Sequence, residues 1–246
     1  MDSKFISPSI HDYISKTSLV HEIYFSDYNI RCKYYSISKP LKSKINKFEK
    51  LLKSIVTSKI SVKNVHVDYY DCPEKRLFVD NPHMINGGVT NLNTRHIIVF
   101  REQELARVMW HEFYHLYIDN YLFASENIRL SNFFGRTIAL QEAVCDFMAT
   151  LQVANTKKKI DNEIEYNKKL AKKVYMCIKT SNSNIFSYIV IKSIMLNNDY
   201  KYVKKLILEQ SVSELSDYIM NKSKSIKYAQ KLHIDKTKEF TFNLYV

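Results

Sequence analysis

Residues 95–117 read RHIIVFREQELARVMWHEFYHLY, a short apolar run followed by a longer segment of mixed character. The run from Arg95 to Phe100 predicts a strand, because β-branched residues are enriched in strands. From Glu102 to Tyr121, apolar residues recur at three- and four-residue steps, the spacing of one helix face. We therefore expect a strand that leads directly into a helix, with Glu102 and Glu104 in its first turn, where acidic side chains are favourable.

The predicted helix contains the pattern H-E-x-x-H as His111-Glu112-Phe113-Tyr114-His115. Residues i and i+4 project from one face of a helix a turn apart, so both imidazoles can bind one metal ion. Glu112 can lean toward a water on that metal and act as general base, which is the arrangement of zinc hydrolases. The motif alone leaves open a second interpretation, in which two surface histidines lie beside a solvated glutamate.

A catalytic zinc site needs a third protein ligand, and a second predicted helix, Arg136 to Ala154, supplies a candidate. This helix is largely apolar but carries Glu142 and Asp146 one turn apart on one face. Two carboxylates there require a partner, and a metal with its liganding histidine is such a partner. We expect Glu142 to be the third ligand and Asp146 to accept the free ring N–H of a liganding histidine. Asp119 is a weaker alternative ligand, because it should point away from the two imidazoles.

The two motifs together, H-E-x-x-H and the later E-A-x-x-D of Glu142 to Asp146, resemble those of the gluzincin metallopeptidases. Over roughly residues 62–155, the order of strand, motif helix and glutamate helix resembles the ImmA/IrrE-like family of that clan. The resemblance implies an α+β fold with a zincin-like domain, in which a small sheet accompanies the active-site helix and the glutamate helix. It further implies one Zn2+ per chain on His111, His115 and Glu142.

The resemblance also implies an activity, hydrolysis of a peptide bond in a protein substrate with Glu112 as the catalytic base. Family members are linked to cleavage of repressor proteins, so a repressor or another regulatory protein is the implied substrate. Two departures limit the resemblance. Tyr114 stands where family motifs often have glycine, and the chain has no clear match to a family DNA-binding module.

Substrate binding needs further groups that the sequence identifies less sharply. In such enzymes the strand before the active-site helix binds substrate backbone as an added strand, which gives Ile97 to Phe100 that role, with a plain core strand as the equal alternative. The developing oxyanion needs a donor beyond zinc. Residue type offers Tyr114, Tyr175, Tyr188 and His233 for this, without choosing among them.

We divide the chain into a mixed N-terminal lead-in, 1–60, a zincin-like catalytic domain, 61–155, and a basic, mostly helical C-terminal region, 156–246. The lead-in is expected to pack on the catalytic domain. The other predicted elements are strands at 19–25, 30–37 and 62–70, a helix from Pro40, a turn region at 72–93, a polar loop at 124–135, and helices at about 160–180, 184–196, 199–209 and 214–233.

Composition bounds the class of protein. Hydrophobic residues are 46% and charged residues 25% of the 246 positions, which are ordinary globular values. The net charge of +12 is uneven, since the three regions carry +6, −3 and +9. Basic flanks suit a nucleic acid or an acidic partner. The alternative function is therefore a basic nucleic-acid- or protein-binding protein with a vestigial or structural zinc site.

No signal peptide or membrane span is expected, because the longest apolar stretch, Ile185 to Leu196, is interrupted by Lys192 and is far shorter than the roughly 20 residues of a span. We expect a cytoplasmic protein without a membrane partner. The four cysteines lack any C-x-x-C pair and are expected to be free thiols.

Overall fold

The computed structural model describes residues 6–58, 60, 62–74, 77–78, 87–118, 120–177, 186–197, 199–223 and 240–241. Within these ranges the chain forms nine α-helices and a small mixed five-stranded sheet, which confirms the predicted α+β class. The described residues group into two compact units, with the division at Tyr117/Ile118. The short strand at Phe240–Thr241 belongs to the first unit.

The first unit contains the sheet. Its elements are α1 (Pro8–Ser15), β1 (Ser18–Phe25), β2 (Ile30–Ser36), α2 (Lys42–Val56), β3 (Val65–Tyr70), β4 (Leu77–Phe78), β5 (Gly88–Asn91), β6 (His96–Val99), α3 (Leu105–Tyr117) and β7 (Phe240–Thr241). The strand order is β1-β2-β3-β6-β5, and β4 pairs separately with β7. The β1–β2 and β5–β6 pairs are antiparallel, whereas β2–β3 and β3–β6 are parallel. The strands predicted at 19–25, 30–37, 62–70 and 95–100 are thereby confirmed.

The two faces of the sheet differ because successive strand residues point to opposite sides. On β2, Cys32 and Tyr34 are buried, and the Tyr34 ring packs edge-on against Phe48 of α2 at 5.4 Å. The opposite face presents Arg31 and Lys33. One core thus lies on the α2 side of these strands. On the other face a second apolar cluster joins residues of α1 to Tyr70 and Phe100, and the part of this face around Arg31 and Lys33 is polar.

Near the carboxyl ends of β2 and β3, the buried Asp71 carboxylate accepts three hydroxyl hydrogen bonds. Tyr13 donates at 2.7 Å, and Tyr34 and Ser36 each donate at 3.0 Å. Burial, reinforced by the Asp71 carboxylate, raises the pKa of Tyr34 above its ordinary value. These bonds tie α1 to the sheet, since Tyr13 lies on that helix.

The helix that carries H-E-x-x-H begins later than predicted. Glu104 has a φ of 66°, which an α-helix of L-residues does not accommodate, so α3 starts at Leu105. The prediction that Glu102 and Glu104 lie in its first turn is therefore wrong. The predicted turn region at 72–93 is also partly wrong, because Gly88–Asn91 forms β5.

The second unit is helical. It comprises a 3-10 turn (Asn120–Phe123), α4 (Ala124–Phe134), α5 (Leu140–Val153), α6 (Lys157–Cys177), a π-helical turn (Ser187–Ile191) continued by α7 (Lys192–Asn197), α8 (Tyr200–Leu208) and α9 (Val212–Ser223). The helices predicted at 160–180, 184–196 and 199–209 are confirmed over the described residues, and 178–180 and 184–185 lie outside them. Of the helix predicted at 214–233, the part beyond Ser223 lies outside the described residues.

The predicted polar loop at 124–135 is wrong, since these residues form α4. Leu130 of this helix is fully buried, which anchors one face. Gly135 ends the helix at a left-handed φ of 64°, a common helix C-terminus. Within the ranges given above, no helix has both the length and the apolar character to cross a membrane.

Candidate metal centre

The two histidines of the motif lie side by side on α3. Nε2 of His111 and Nε2 of His115 are 3.0 Å apart, so one imidazole donates a hydrogen bond to the other. His111 is buried at 8% exposure and His115 is half-buried. Met109 and Phe113 are fully buried, which fixes the rotation of the helix about its axis. The i,i+4 spacing therefore brings two ligand nitrogens to one point, as predicted from the motif.

Glu112 projects between α3 and the neighbouring strand β5. Its carboxylate is buried, and its Oε2 accepts a hydrogen bond from the Thr90 hydroxyl at 2.6 Å. The strand approaches closely because Gly88 has no side chain. A Cβ at Gly88 would lie 2.9 Å from both Cγ and Oε1 of Glu112 and 2.9 Å from Cγ1 of Val108. The glycine thus makes room for the carboxylate beside the two histidines.

The two carboxylates of the glutamate helix α5 are bound by side chains of the π-helical turn and of the start of α7. The Tyr188 hydroxyl donates to Oε2 of Glu142 at 2.6 Å. The Lys192 ammonium lies 2.6 Å from Oδ2 of Asp146, and both side chains are almost completely buried. These partners satisfy the requirement that carboxylates on an apolar helix be paired. π-Helical turns occur frequently at functional sites, and here the turn carries Tyr188.

The structure brings His111, His115 and Glu142 together. Each offers one ligand atom, and these atoms all lie within 4.8 Å of one another. In a tetrahedral zinc site with bonds of about 2.0–2.1 Å, two donor atoms lie about 3.3 Å apart. The histidine pair is near that separation, and the terminal torsion of the glutamate turns easily. This group of donors can bind a metal ion, and its chemistry of two imidazoles and one carboxylate fits a catalytic zinc ion.

The remaining predicted groups have different outcomes. Asp146 pairs with Lys192, and its predicted bond to a liganding histidine stays a prediction. Asp119, the side chain of Tyr175, and His233 lie outside the described residues. Among the groups considered as oxyanion donors, Tyr188 is placed on the Glu142 carboxylate.

The substrate-binding role predicted for Ile97 to Phe100 is contradicted by the sheet. β6 pairs with β3 along one side and with β5 along the other, so both of its edges are already hydrogen-bonded. It is a core strand, with Ile97 and Val99 fully buried. The reason is nonlocal: among the described strands, β5, which the sequence did not predict, takes the edge position next to β6.

Sequence reasoning missed Thr90 and Lys192 as contributors to the site. Lys192 had a usable signal, since it is a single charge in the apolar stretch from Ile185 to Leu196 and therefore needs a buried partner. Thr90 had no comparable signal. Its contact with Glu112 depends on the unpredicted strand β5.

Comparison of the chain with known protein families, with curated proteins and with solved structures finds no match.

Proposed function

We propose that this chain is a zinc-dependent metallopeptidase of zincin-like fold that hydrolyses a peptide bond in a protein substrate. The observation that supports the proposal most strongly is the convergence of His111, His115 and Glu142, with the buried carboxylate of Glu112 next to His111 on the same helix. The proposed fold family also draws on the sequence resemblance to gluzincins.

The donor set supports zinc as the metal. His111, His115 and Glu142 would supply three protein ligands and leave a further position for water or substrate, which is the composition of catalytic zinc sites. When bound, zinc supplies a Lewis acid that polarises the scissile carbonyl and lowers the pKa of a water toward neutrality. Two-histidine, one-carboxylate sites also accept other divalent metals, so metal identity is part of the test.

Glu112 is the proposed general base and then general acid. Its carboxylate takes a proton from the attacking water and delivers it to the leaving amine nitrogen. The Thr90 hydroxyl orients this carboxylate through the 2.6 Å hydrogen bond to Oε2. Because this bond occupies one oxygen, Oε1 remains to exchange the proton.

Strand β5 is the proposed site for the substrate backbone. Within the described part of the chain, β5 has a strand neighbour on one side only, β6. An extended peptide can pair with the other edge by β-augmentation. Such a peptide would lie near Glu112, since Thr90 and Gly88 of the same strand contact that carboxylate. A repressor or another regulatory protein is the proposed substrate class, and that choice depends on the resemblance alone.

The test is digestion of a peptide library derived from a whole proteome, read by mass spectrometry. We expect the zinc-loaded wild type to cleave peptides within the library, and Glu112→Gln to bind zinc but cleave at least about a hundredfold more slowly, as for loss of a general base. Glu214→Gln removes an exposed carboxylate on α9 and is the matched control, which should cleave normally. Equal cleavage by wild type and Glu112→Gln would contradict the mechanism. Metal binding without any cleavage by the wild type would favour the alternative of a structural zinc site.

A further inference from the structure

We infer that the polar face of the five-stranded sheet, opposite α2, binds a phosphate group through Arg31, Lys33, His66 and His96. A hollow on this face is lined by Arg31, Lys33, His66, Asp68, Thr94 and His96. The hollow lies entirely within the first unit and contains none of the proposed metal ligands or Glu112. The inference is independent of the proposed peptidase function.

The strand register places the basic groups of the hollow next to one another. Arg31 on β2 is directly paired with His66 on β3, which is paired with His96 on β6. Lys33 lies two residues along β2 and is paired with Asp68. A guanidinium, an ammonium and two imidazoles therefore converge on one patch of an otherwise ordinary sheet.

The hollow itself is lined by two full positive charges, Arg31 and Lys33, and by one carboxylate, Asp68. Oδ2 of Asp68 lies 2.9 Å from Nε2 of His96, so this oxygen already has a hydrogen-bond partner within the hollow. Glu22 is 3.5 Å from Nε of Arg31, and both side chains are about half exposed, which makes the pair weak. The guanidinium of Arg31 thus retains donors for a ligand, and Lys33 adds a second full positive charge.

Lys33 lies directly opposite Glu22 on β1 and Asp68 on β3, and opposite charges so placed stabilise a sheet, whereas Arg31 lies opposite His66. Inward-facing neighbours such as Cys32, Val67 and Ile97 make the core, whereas Arg31 and His66 point outward. Arg31 and His66 are both basic and lie directly opposite each other, so this pair adds no attraction across the two strands. A bound anion would give Arg31 and His66 a shared partner, which neither the core nor the opposite strand provides.

A phosphate group fits the donors best. The arginine fork binds two phosphate oxygens in parallel, and lysine adds a point charge. The hollow encloses about 210 Å³, less than the roughly 300 Å³ at which pockets for whole small-molecule ligands begin. It therefore suits the phosphate of a larger molecule whose remainder lies on the open sheet. Tyr24 is 54% exposed and has the Arg31 guanidinium 5.7 Å from the centre of its ring, so its other ring face can contact such a remainder.

The test measures binding to the full chain by titration calorimetry with three probes: inorganic phosphate, adenosine 5′-monophosphate and a ten-nucleotide single-stranded DNA. We expect wild-type protein to bind at least one of them, and Arg31→Gln/Lys33→Gln to bind it about tenfold or more weakly, as for loss of charge-assisted contacts. The control Lys47→Gln/Lys50→Gln removes two exposed charges from α2 and should bind as wild type. Thermal unfolding verifies that each variant is folded, and the single variant Lys33→Glu provides a second check with the Arg31 side chain intact.

The probes distinguish the source of the phosphate. Binding of the mononucleotide as tight as that of the oligonucleotide indicates a small phosphate ester. Oligonucleotide binding that is much tighter and falls steeply with salt indicates single-stranded nucleic acid. Either result supports the site. No binding of any probe by the wild type, or equal weakening in the two double variants, would overturn it.

Discussion

The helices α3 and α5 each present a carboxylate that is held by one hydroxyl group 2.6 Å away. For Glu112 on α3, the hydroxyl belongs to Thr90, 22 residues earlier in the chain. For Glu142 on α5, it belongs to Tyr188, 46 residues later. The two proposed ligands on α3 are aligned by the helix backbone itself, whereas the carboxylates on α5 are hydrogen-bonded by side chains of another segment. We therefore expect substitutions outside the metal ligands to affect metal binding through α5 and turnover through α3.

The largest expected effect concerns the buried ion pair of Asp146 and Lys192, whose side chains are 7% and 4% exposed. Lys192→Met leaves the Asp146 carboxylate without its ammonium partner in a dry site, so we expect the free energy of unfolding to fall by about 3–5 kcal/mol. Urea denaturation of the full chain measures this. The double variant Asp146→Leu/Lys192→Met removes both charges and should recover much of the loss. A loss below about 1 kcal/mol in Lys192→Met would show that the pair does not stabilise this helix.

The next effect tests the close approach of β5 to α3. Gly88→Ala introduces a Cβ 2.9 Å from Glu112 and Val108, so we expect a loss of about 1–3 kcal/mol in the free energy of unfolding, together with reduced cleavage. Asn93→Ala, an exposed position in the turn that follows the same strand, is the control. Wild-type stability and turnover in Gly88→Ala would mean that the strand has room to move away from Glu112 without consequence.

Tyr188→Phe tests how far the position of Glu142 on α5 depends on the Tyr188 hydroxyl. Removal of the hydroxyl takes away a 2.6 Å hydrogen bond that orients the Glu142 carboxylate, and loss of such an orienting bond weakens metal affinity by about 10–100-fold. Competition with a chromogenic zinc chelator measures the affinity. Tyr202→Phe, a partly exposed tyrosine on α8, should leave the affinity unchanged. If both variants bind zinc equally well, Tyr188 does not position the ligand.

Thr90→Val tests how far turnover depends on the hydrogen bond from Thr90 to Glu112 on α3, and it should give the smallest effect. The substitution keeps the shape of the side chain but removes the hydrogen bond to Glu112, so we expect cleavage about tenfold slower with zinc affinity unchanged. Thr57→Val, at an exposed helix end, is the control. If Thr90→Val weakens zinc binding and leaves turnover unchanged, the expectation that contacts of α3 affect turnover and those of α5 affect metal binding is wrong.

The histidine pair on α3 was predictable because its geometry depends only on residues close together in the sequence. The spacing of His111 and His115 fixes their relative position once the segment is helical, and apolar periodicity predicts the helix. Glu142 was predicted from its place on an apolar helix and from the family resemblance. The structure places its ligand oxygen within 4.8 Å of the histidine nitrogens.

The parts that were not predictable depend on contacts distant in sequence. Gly87 and Gly88 suggested a turn, yet Gly88 is the first residue of strand β5. Because Gly88 has no side chain, the Glu112 side chain fits beside it. Without β5, the edge position appeared to belong to β6. The segment at 124–135 contains polar residues typical of loops, but burial of the Leu130 side chain stabilises it as a helix. Such outcomes are decided by tertiary packing, which overrides local propensity.

The central claim is tested most directly by the metal content of the purified protein, measured by elemental mass spectrometry. We predict about one zinc ion per wild-type chain, as for a mononuclear site. His115→Ala and Glu142→Ala should lose most of the metal, whereas Glu112→Gln should retain it. A wild-type chain that binds no metal, even after zinc is supplied, would contradict the account, because His111, His115 and Glu142 would then not form a metal site.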